Sequence, residues 1–331
     1  MATPSLPSRS PSPRLTISIV VATVLALTGC AAVASTAPAS EPTASAITNC
    51  GLEVDYSNPQ RVVTIKSSPL EMLLALGLGD RIVGTAFTNG PVPEKWADAA
   101  SEIPLISEQL PSEEAVLALE PDLVYAGWES NFTADGAGER GELQSLGVDT
   151  YVSPAACQSL SADHPKLTAD DILDEINEVA SIFDVDATDL VSEQRAALES
   201  VQPLSGGHTA LWFSSGSDIP FVGGGTGAPQ VILDHLGLTN IAEEFGEAWA
   251  PYSWEAVIAA NPDVIVLVDS VTNTAEKKIG VLQANPATAR LDAVVNERYL
   301  VIPFPASEAG VRTIPAIVEL SGQLSGLGLD E

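Results

Sequence analysis

Ser112-Glu-Glu-Ala-Val-Leu-Ala-Leu-Glu-Pro-Asp-Leu-Val-Tyr125 aligns without a gap on Ser253-Trp-Glu-Ala-Val-Ile-Ala-Ala-Asn-Pro-Asp-Val-Ile-Val266. Seven of the fourteen positions are identical, so one small unit is used twice. In each copy a serine stands where it can cap a short helix. A glutamate, Glu114 or Glu255, falls in the first turn, where the helix dipole favours an acid. Pro121 or Pro262 ends the helix and a β-branched run leaves it at once. Further pairs keep the same order around this unit. Leu76-Gly-Leu78 matches Leu236-Gly-Leu238 upstream, and strand-like Thr150-Tyr-Val152 matches Tyr299-Leu-Val-Ile302 downstream.

Outward from the repeat, strand-like and helix-like segments alternate. Arg61–Ile65 is a short β-branched run, Pro69–Leu78 has helical spacing of leucines closed by Gly77 and Gly79, and Ile82-Val83-Gly84 reads as the next strand. The pattern predicts α/β architecture with two similar lobes, 48–168 and 203–331, each around a parallel-type sheet. Between them, 169–202 is acidic and free of Gly and Pro. Thr168 and Asp171 form a capping-box start, and Ile172, Ile176, Val179 and Phe183 share one helical face. One long helix, with a bend near Asp184–Asp186, is expected to join the lobes stiffly and leave a ligand cleft between them.

The start of the chain follows a different logic. Arg9 and Arg14 precede the apolar stretch Leu15–Leu27, and Leu27-Thr28-Gly29-Cys30 ends it like a lipobox. Residues 1–29 are read as a signal peptide, Cys30 as the lipidated first residue, and 30–47, rich in Ala, Ser, Thr and Pro, as a flexible stalk. A single N-terminal membrane anchor is the competing reading. The position of Cys30 and the linker after it favour an extracytoplasmic protein held to the membrane by lipid.

The 331 residues carry 44 acids against 14 Lys+Arg, a net charge of −30. Such a surface repels phosphate backbones, which argues against nucleic-acid binding. Beyond Cys30 the cysteines are Cys50 and Cys157, an even pair in an oxidising compartment, read as one disulfide with two free buried thiols as the alternative. His164, His208 and His235 are widely spaced and show no metal-ligand pattern. No Gly-x-Ser-x-Gly elbow or triad context is present, so a binding role is expected rather than an enzyme.

Loops after strands nominate the cleft. In the first lobe they supply Lys66, Ser67, Phe87 and Trp128; in the second, Trp212, Ser214, Gly224, Trp249, Tyr252 and the loop at Asp269. Aromatic residues suit a large, partly apolar ligand. Trp212 and Trp254 are also open to a core reading, which is favoured for Trp254. Gly223–Gly227, ahead of a helix near Pro229, offers either a plain turn or backbone N–H groups for an anion, without the Lys-Ser/Thr of a nucleotide loop.

Signal, lipobox, stalk, two lobes and the duplicated Ser-x-Glu-Ala-Val…Pro-Asp units together resemble the substrate-binding lipoproteins of ABC importers. The similar class is the one that takes up ferric siderophores, haem and cobalamin. Pro59-Gln-Arg-Val-Val63 and Glu71–Gly84 resemble that family's opening motif, and the likeness spans 48–331. It implies two lobes joined by a helix, a chelated-iron or similar cofactor-like ligand, and partners in a permease dimer and its ATPase. It also implies that Glu114 and Glu255 dock into the permease, with Glu113 able to share the role, and that Arg312 stands where relatives carry an arginine. Lys66 and Arg312 are then the cations available to an anionic ligand group. The stretches at Lys66, Asn89–Pro93, Gly127–Asn131 and Ser153–Cys157 are also similar to a narrower actinobacterial branch assigned to a deazaflavin coenzyme precursor. A surface sensor without a permease would share the same signal and fold.

Overall fold

The computed structural model describes residues 46–157 and 166–329. The expected signal peptide, Cys30, nearly all of the stalk and His164 lie outside the described residues. The first lobe begins with a hairpin of β1 (Ala46–Asn49) and β2 (Leu52–Asp55), followed by β3 (Val62–Ile65), β4 (Ile82–Ala86), β5 (Leu105–Ser107), β6 (Leu123–Ala126) and β7 (Asp149–Val152). These last five form one sheet in the order β5-β4-β3-β6-β7, every neighbour parallel. Helices α1 (Ser67–Ala75), α2 (Glu94–Ser101), α3 (Glu113–Leu117) and α4 (Arg140–Ser145) supply the crossovers.

The link is two helices, α5 (Ala169–Ile182) and α6 (Thr188–Glu199), rather than one continuous rod. Thr168 and Asp171 make the predicted capping box. The interruption falls at the expected bend: Asp184 adopts a left-handed φ of 53°, and Asp186 Oδ1 accepts from the Thr188 N–H at 2.9 Å to start the second helix. The link shares its packing between the lobes. Ala169 and Ile172 of α5 enter the second lobe's core, whereas Leu173, Ile176 and Val179 enter the first lobe's. A single helix therefore belongs to two cores.

The second lobe contains β8 (Thr209–Ser215), β9 (Phe221–Gly223), β10 (Thr239–Asn240), β11 (Trp249–Pro251), β12 (Val264–Asp269) and β13 (Tyr299–Pro303). Its order is β11-β9-β8-β12-β13, with β10 also on β8. The β8-β12-β13 part is parallel, but β9 and β11 run antiparallel, so this sheet is mixed. Helices α7 (Ala228–Leu236), α8 (Trp254–Ala260), α9 (Ala275–Ala284), α10 (Asp292–Val295), α11 (Phe304–Ser307) and α12 (Thr313–Ser325) complete the chain.

The repeated sequence gives a repeated backbone. Ser112 Oγ accepts from Ala115 N and Ser253 Oγ from Ala256 N. Glu120 and Asn261, each just before the proline, both take left-handed φ, at 48° and 44°. Asp122 then accepts from the backbone N–H groups of Gln60 and Arg61 beside β3, and Asp263 accepts from that of Thr209 at the start of β8. Gly77 and Gly237 share a φ of 74°, a left-handed turn that lets Leu78 and Leu238 close back onto Leu73 and Leu233. The shared serine and aspartate thus have structural reasons, and the shared valines, Val116 and Val257, are buried in the cores. A disulfide joins Cys50, next to the β1 hairpin, to Cys157 after β7.

Candidate inter-lobe binding site

Carboxyl ends of the parallel strands β4 and β5 in one lobe and β8, β12 and β13 in the other build the site. A cavity of about 460 Å³ lies there, lined by 87–89 and 108–109 from the first lobe and by 214–215, 270–273 and Phe304 from the second. Among the described residues its wall is rich in hydroxyl and amide groups, with Phe87, Phe304 and Val271 as apolar surface and Glu108 as the sole charged side chain. A second depression of equal volume, between 202–205 and α12, contains no ionisable or aromatic side chain and stands away from the strand ends. The inter-lobe cavity is the chemically equipped one.

Beneath it sits Lys66, directly after β3. Its side chain is fully buried, and Nζ stands 3.5 Å from the Trp128 ring centroid, 4.2 Å from that of Phe87 and 5.3 Å from that of Phe304. The backbone is arranged around this placement. Lys66 and Phe87 both carry positive φ, 85° and 54°. At Gly127 a Cβ would lie 3.0 Å from Lys66 Cβ and Ser68 Oγ, so the glycine makes room for the lysine. Burial pulls the Lys66 ammonium down to about 8, opposed by the charge of Glu308.

Glu308 follows α11 and reaches the same spot from the second lobe. Its Oε1 accepts from Trp128 Nε1 at 2.6 Å. Burial raises its carboxyl to about 7, against the lowering effects of Lys66 and that hydrogen bond. A second inter-lobe contact lies alongside: Arg312 Nη1 donates to Glu71 Oε1 at 3.2 Å, and burial lifts Glu71 to about 7 despite the guanidinium. Arg312 is therefore committed to the seam between lobes.

Of the residues nominated from sequence, Lys66, Phe87, Trp128 and Ser214 come together at the cavity or its floor. Ser67 stands beside them and accepts from the Asn89 N–H at 2.9 Å, shaping the 87–89 loop. Four others do not. Trp212 is fully buried in the core with Val266 and Ile317. Gly224 is covered by the 243–248 segment; a Cβ there would lie 2.2 Å from Glu247 O. Two N–H groups of the glycine stretch are given to that segment, Gly224 to Ala248 O and Gly225 to Phe245 O. Trp249 packs half-buried in the second lobe's edge strand, and Tyr252 donates to Ile241 O with its ring against Phe245. Trp254 is core, its indole N–H donating to Ser217 O. Asp269 accepts from Ala275 N and anchors α9.

Sequence reasoning missed Phe304, Glu308 and Asn273. The strand-end rule that nominated Lys66 and Phe87 applies equally to Phe304 after β13, and Glu308 follows one short helix later. The 270–273 loop is held from behind by Lys278, whose buried Nζ donates to Val268 O and Asn273 O. Among the described residues no three His, Cys, Asp or Glu side chains converge as metal ligands, and no helix is long and apolar enough to cross a membrane.

Residues 62–306 match the family described as Periplasmic binding protein. The chain is 26% identical over 267 residues to the uncharacterized ABC transporter substrate-binding lipoprotein YvrC of Bacillus subtilis (strain 168), covering 80% of this chain and 79% of that one. Among solved structures it is similar to a periplasmic binding protein from Veillonella parvula, with TM-score 0.74, 25% identity, and 85% of this chain and 97% of that one covered. A second is an ABC-type Fe3+-hydroxamate transport system from Saccharomonospora viridis, with TM-score 0.73 at the same identity, covering 85% and 99%. The match spans the repeat, both sheets and every residue that lines the cavity, and on that basis the chain belongs to the periplasmic binding protein family and is a binding protein, not an enzyme.

Proposed function

We propose that this chain is the ligand-capturing lipoprotein of an ABC importer, held outside the cytoplasm through Cys30. It takes a ferric siderophore or a similar preformed chelate between its lobes and docks on a permease dimer, served by its own ATPase, through Glu114 and Glu255. The repeat carries this reading. The shared serine and aspartate side chains serve the fold, whereas Glu114 and Glu255 are exposed and form no ion pair among the described residues. Glu113, by contrast, packs beside Gly138. Two identical carboxylates on equivalent helices suit a two-fold symmetric partner, where charge pairs set register and speed encounter.

The cavity supports a chelate that arrives complete. Among the described residues its lining offers no His, Tyr, Cys or Met, the side chains that hold haem iron. Hydroxyl and amide groups beside two phenylalanines suit an organic shell around the metal. A phosphorylated deazaflavin belongs in the same ligand panel, because an ammonium flanked by aromatic rings suits a planar anion.

Charge reversal tests the docking role. Glu114→Lys with Glu255→Lys is expected to abolish uptake of ferric hydroxamate by cells while leaving its affinity for the purified protein unchanged. Undiminished uptake, or loss of binding in the double variant, would overturn the assignment.

A further inference from the structure

We propose that Lys66 is the ligand's anchor and that the cargo carries an anionic oxygen group which enters between Phe87 and Phe304 to accept from its Nζ. This rests on the reading of the cleft as a chelate site and narrows the class of chelate. Four observations meet at the same point.

First, the Lys66 ammonium is fully buried, and among the described residues it has no hydrogen-bond partner and forms no ion pair. A buried ammonium without an acceptor is strongly destabilising, and three ring faces compensate for part of that cost. Glu308 does not complete it: Oε1 is engaged by the Trp128 indole, and Oε2 has no partner of its own. Second, two of the rings around Nζ, those of Phe87 and Phe304, also line the cavity, so the charge lies one ring away from the ligand space. Third, two of the left-handed non-glycine residues, Lys66 and Phe87, flank this point, and Gly127 leaves the space that the lysine stem fills. Backbone strain of this kind persists at ligand clamps, where the surrounding fold holds it in place. Fourth, among the described residues no cation lines the cavity itself, and the neighbouring Arg312 is already bound to Glu71. Of the described cations, Lys66 is the one left to answer a negative ligand.

The rival explanation is a purely structural peg, a lysine that fills space between the lobes. A peg is indifferent to the charge of the cargo, and an anchor is not.

The test uses the purified full chain and three ferric trihydroxamates with one iron-binding core: ferrioxamine B and its N-acetyl and N-succinyl derivatives. Their free arms end in an ammonium, a neutral amide and a carboxylate. The carboxylate form is expected to bind about 10- to 100-fold more tightly than the amide form, the worth of one charge-assisted hydrogen bond, with the ammonium form weakest. In Lys66→Met, which keeps the stem and removes the charge, the ranking should collapse. Lys66→Arg, which keeps the charge, should retain it. Equal binding of the three by the wild-type protein, which needs no variant to fold, would overturn the anchor and leave chelate capture standing. A ranking that survives in Lys66→Met would do the same. Failure of all three to bind would overturn the chelate reading and the anchor together.

Discussion

The two lobes grow from one fourteen-residue unit and end with different interiors. Both copies cap, turn and lock their strands alike, down to the left-handed residue before the proline and the aspartate that catches a neighbouring backbone N–H. Around this shared frame the first lobe buries polar chemistry. Lys66, Glu71 and Glu175 are inside it, with Tyr125 donating to Glu175 and Tyr151 to Glu178 on the linking helix. The second lobe also buries Lys278, Glu308, Gln230 and Asn240, while its two sheet faces are filled by Trp212, Phe213, Val266 and their aliphatic neighbours. Duplication preserves what the backbone needs, while the cavity is lined by strand ends of both lobes.

The largest effect expected is in the second lobe's core. Trp212→Ala should destabilise by about 3–5 kcal/mol in chemical denaturation, because the side chain is wholly enclosed. Next comes the tie that only the first lobe has. Replacing Cys50 and Cys157 by serine releases a loop spanning 107 residues and should lower stability by about 2–5 kcal/mol, with melting of the first lobe preceding that of the second.

The buried acid gives a pH signature of its own. Burial raises the Glu175 carboxyl to about 7 from an ordinary 4.5, even though Tyr125 donates to it. The folded state therefore holds the proton more tightly than the unfolded one. Stability from this group is full below pH 4.5 and is lost as pH rises toward 7, by up to about 3 kcal/mol. Glu175→Gln should flatten that part of a melting-temperature profile; an unchanged profile would show that the group is ionised in the fold. The smallest effects compare the copies directly. Asp122→Ala and Asp263→Ala should each cost about 1–2 kcal/mol. A large inequality between them would break the equivalence of the two units.

Much of this frame was legible because its determinants are local. A serine cap, a Leu-Gly-Leu turn and a proline stop act within a few residues, so the repeat could be read as structure. The break at Asp184 was visible as a bend but not as two helices, since helical patterning continues on both sides of it. The cleft was harder. Trp212 was misread because both faces of the second sheet are covered, so its strand shows no polar alternation to tell inside from outside. Nothing near Gly224 announces that 243–248 folds over it. Lys66 was found by its place after a strand. Its aromatic surroundings and the approach of Glu308 come from segments up to 242 residues away in sequence.

The most direct test of the central claim is a tryptophan-fluorescence titration of the purified protein with ferrioxamine and the rest of the chelate panel, alongside Trp128→Phe. Trp128 is the tryptophan at the cleft floor, whereas Trp212 and Trp254 are core. Saturable quenching by one chelate, largely lost in Trp128→Phe, is the predicted result. A saturable signal that survives intact in Trp128→Phe, or none across the panel, would contradict capture of a chelate between the lobes.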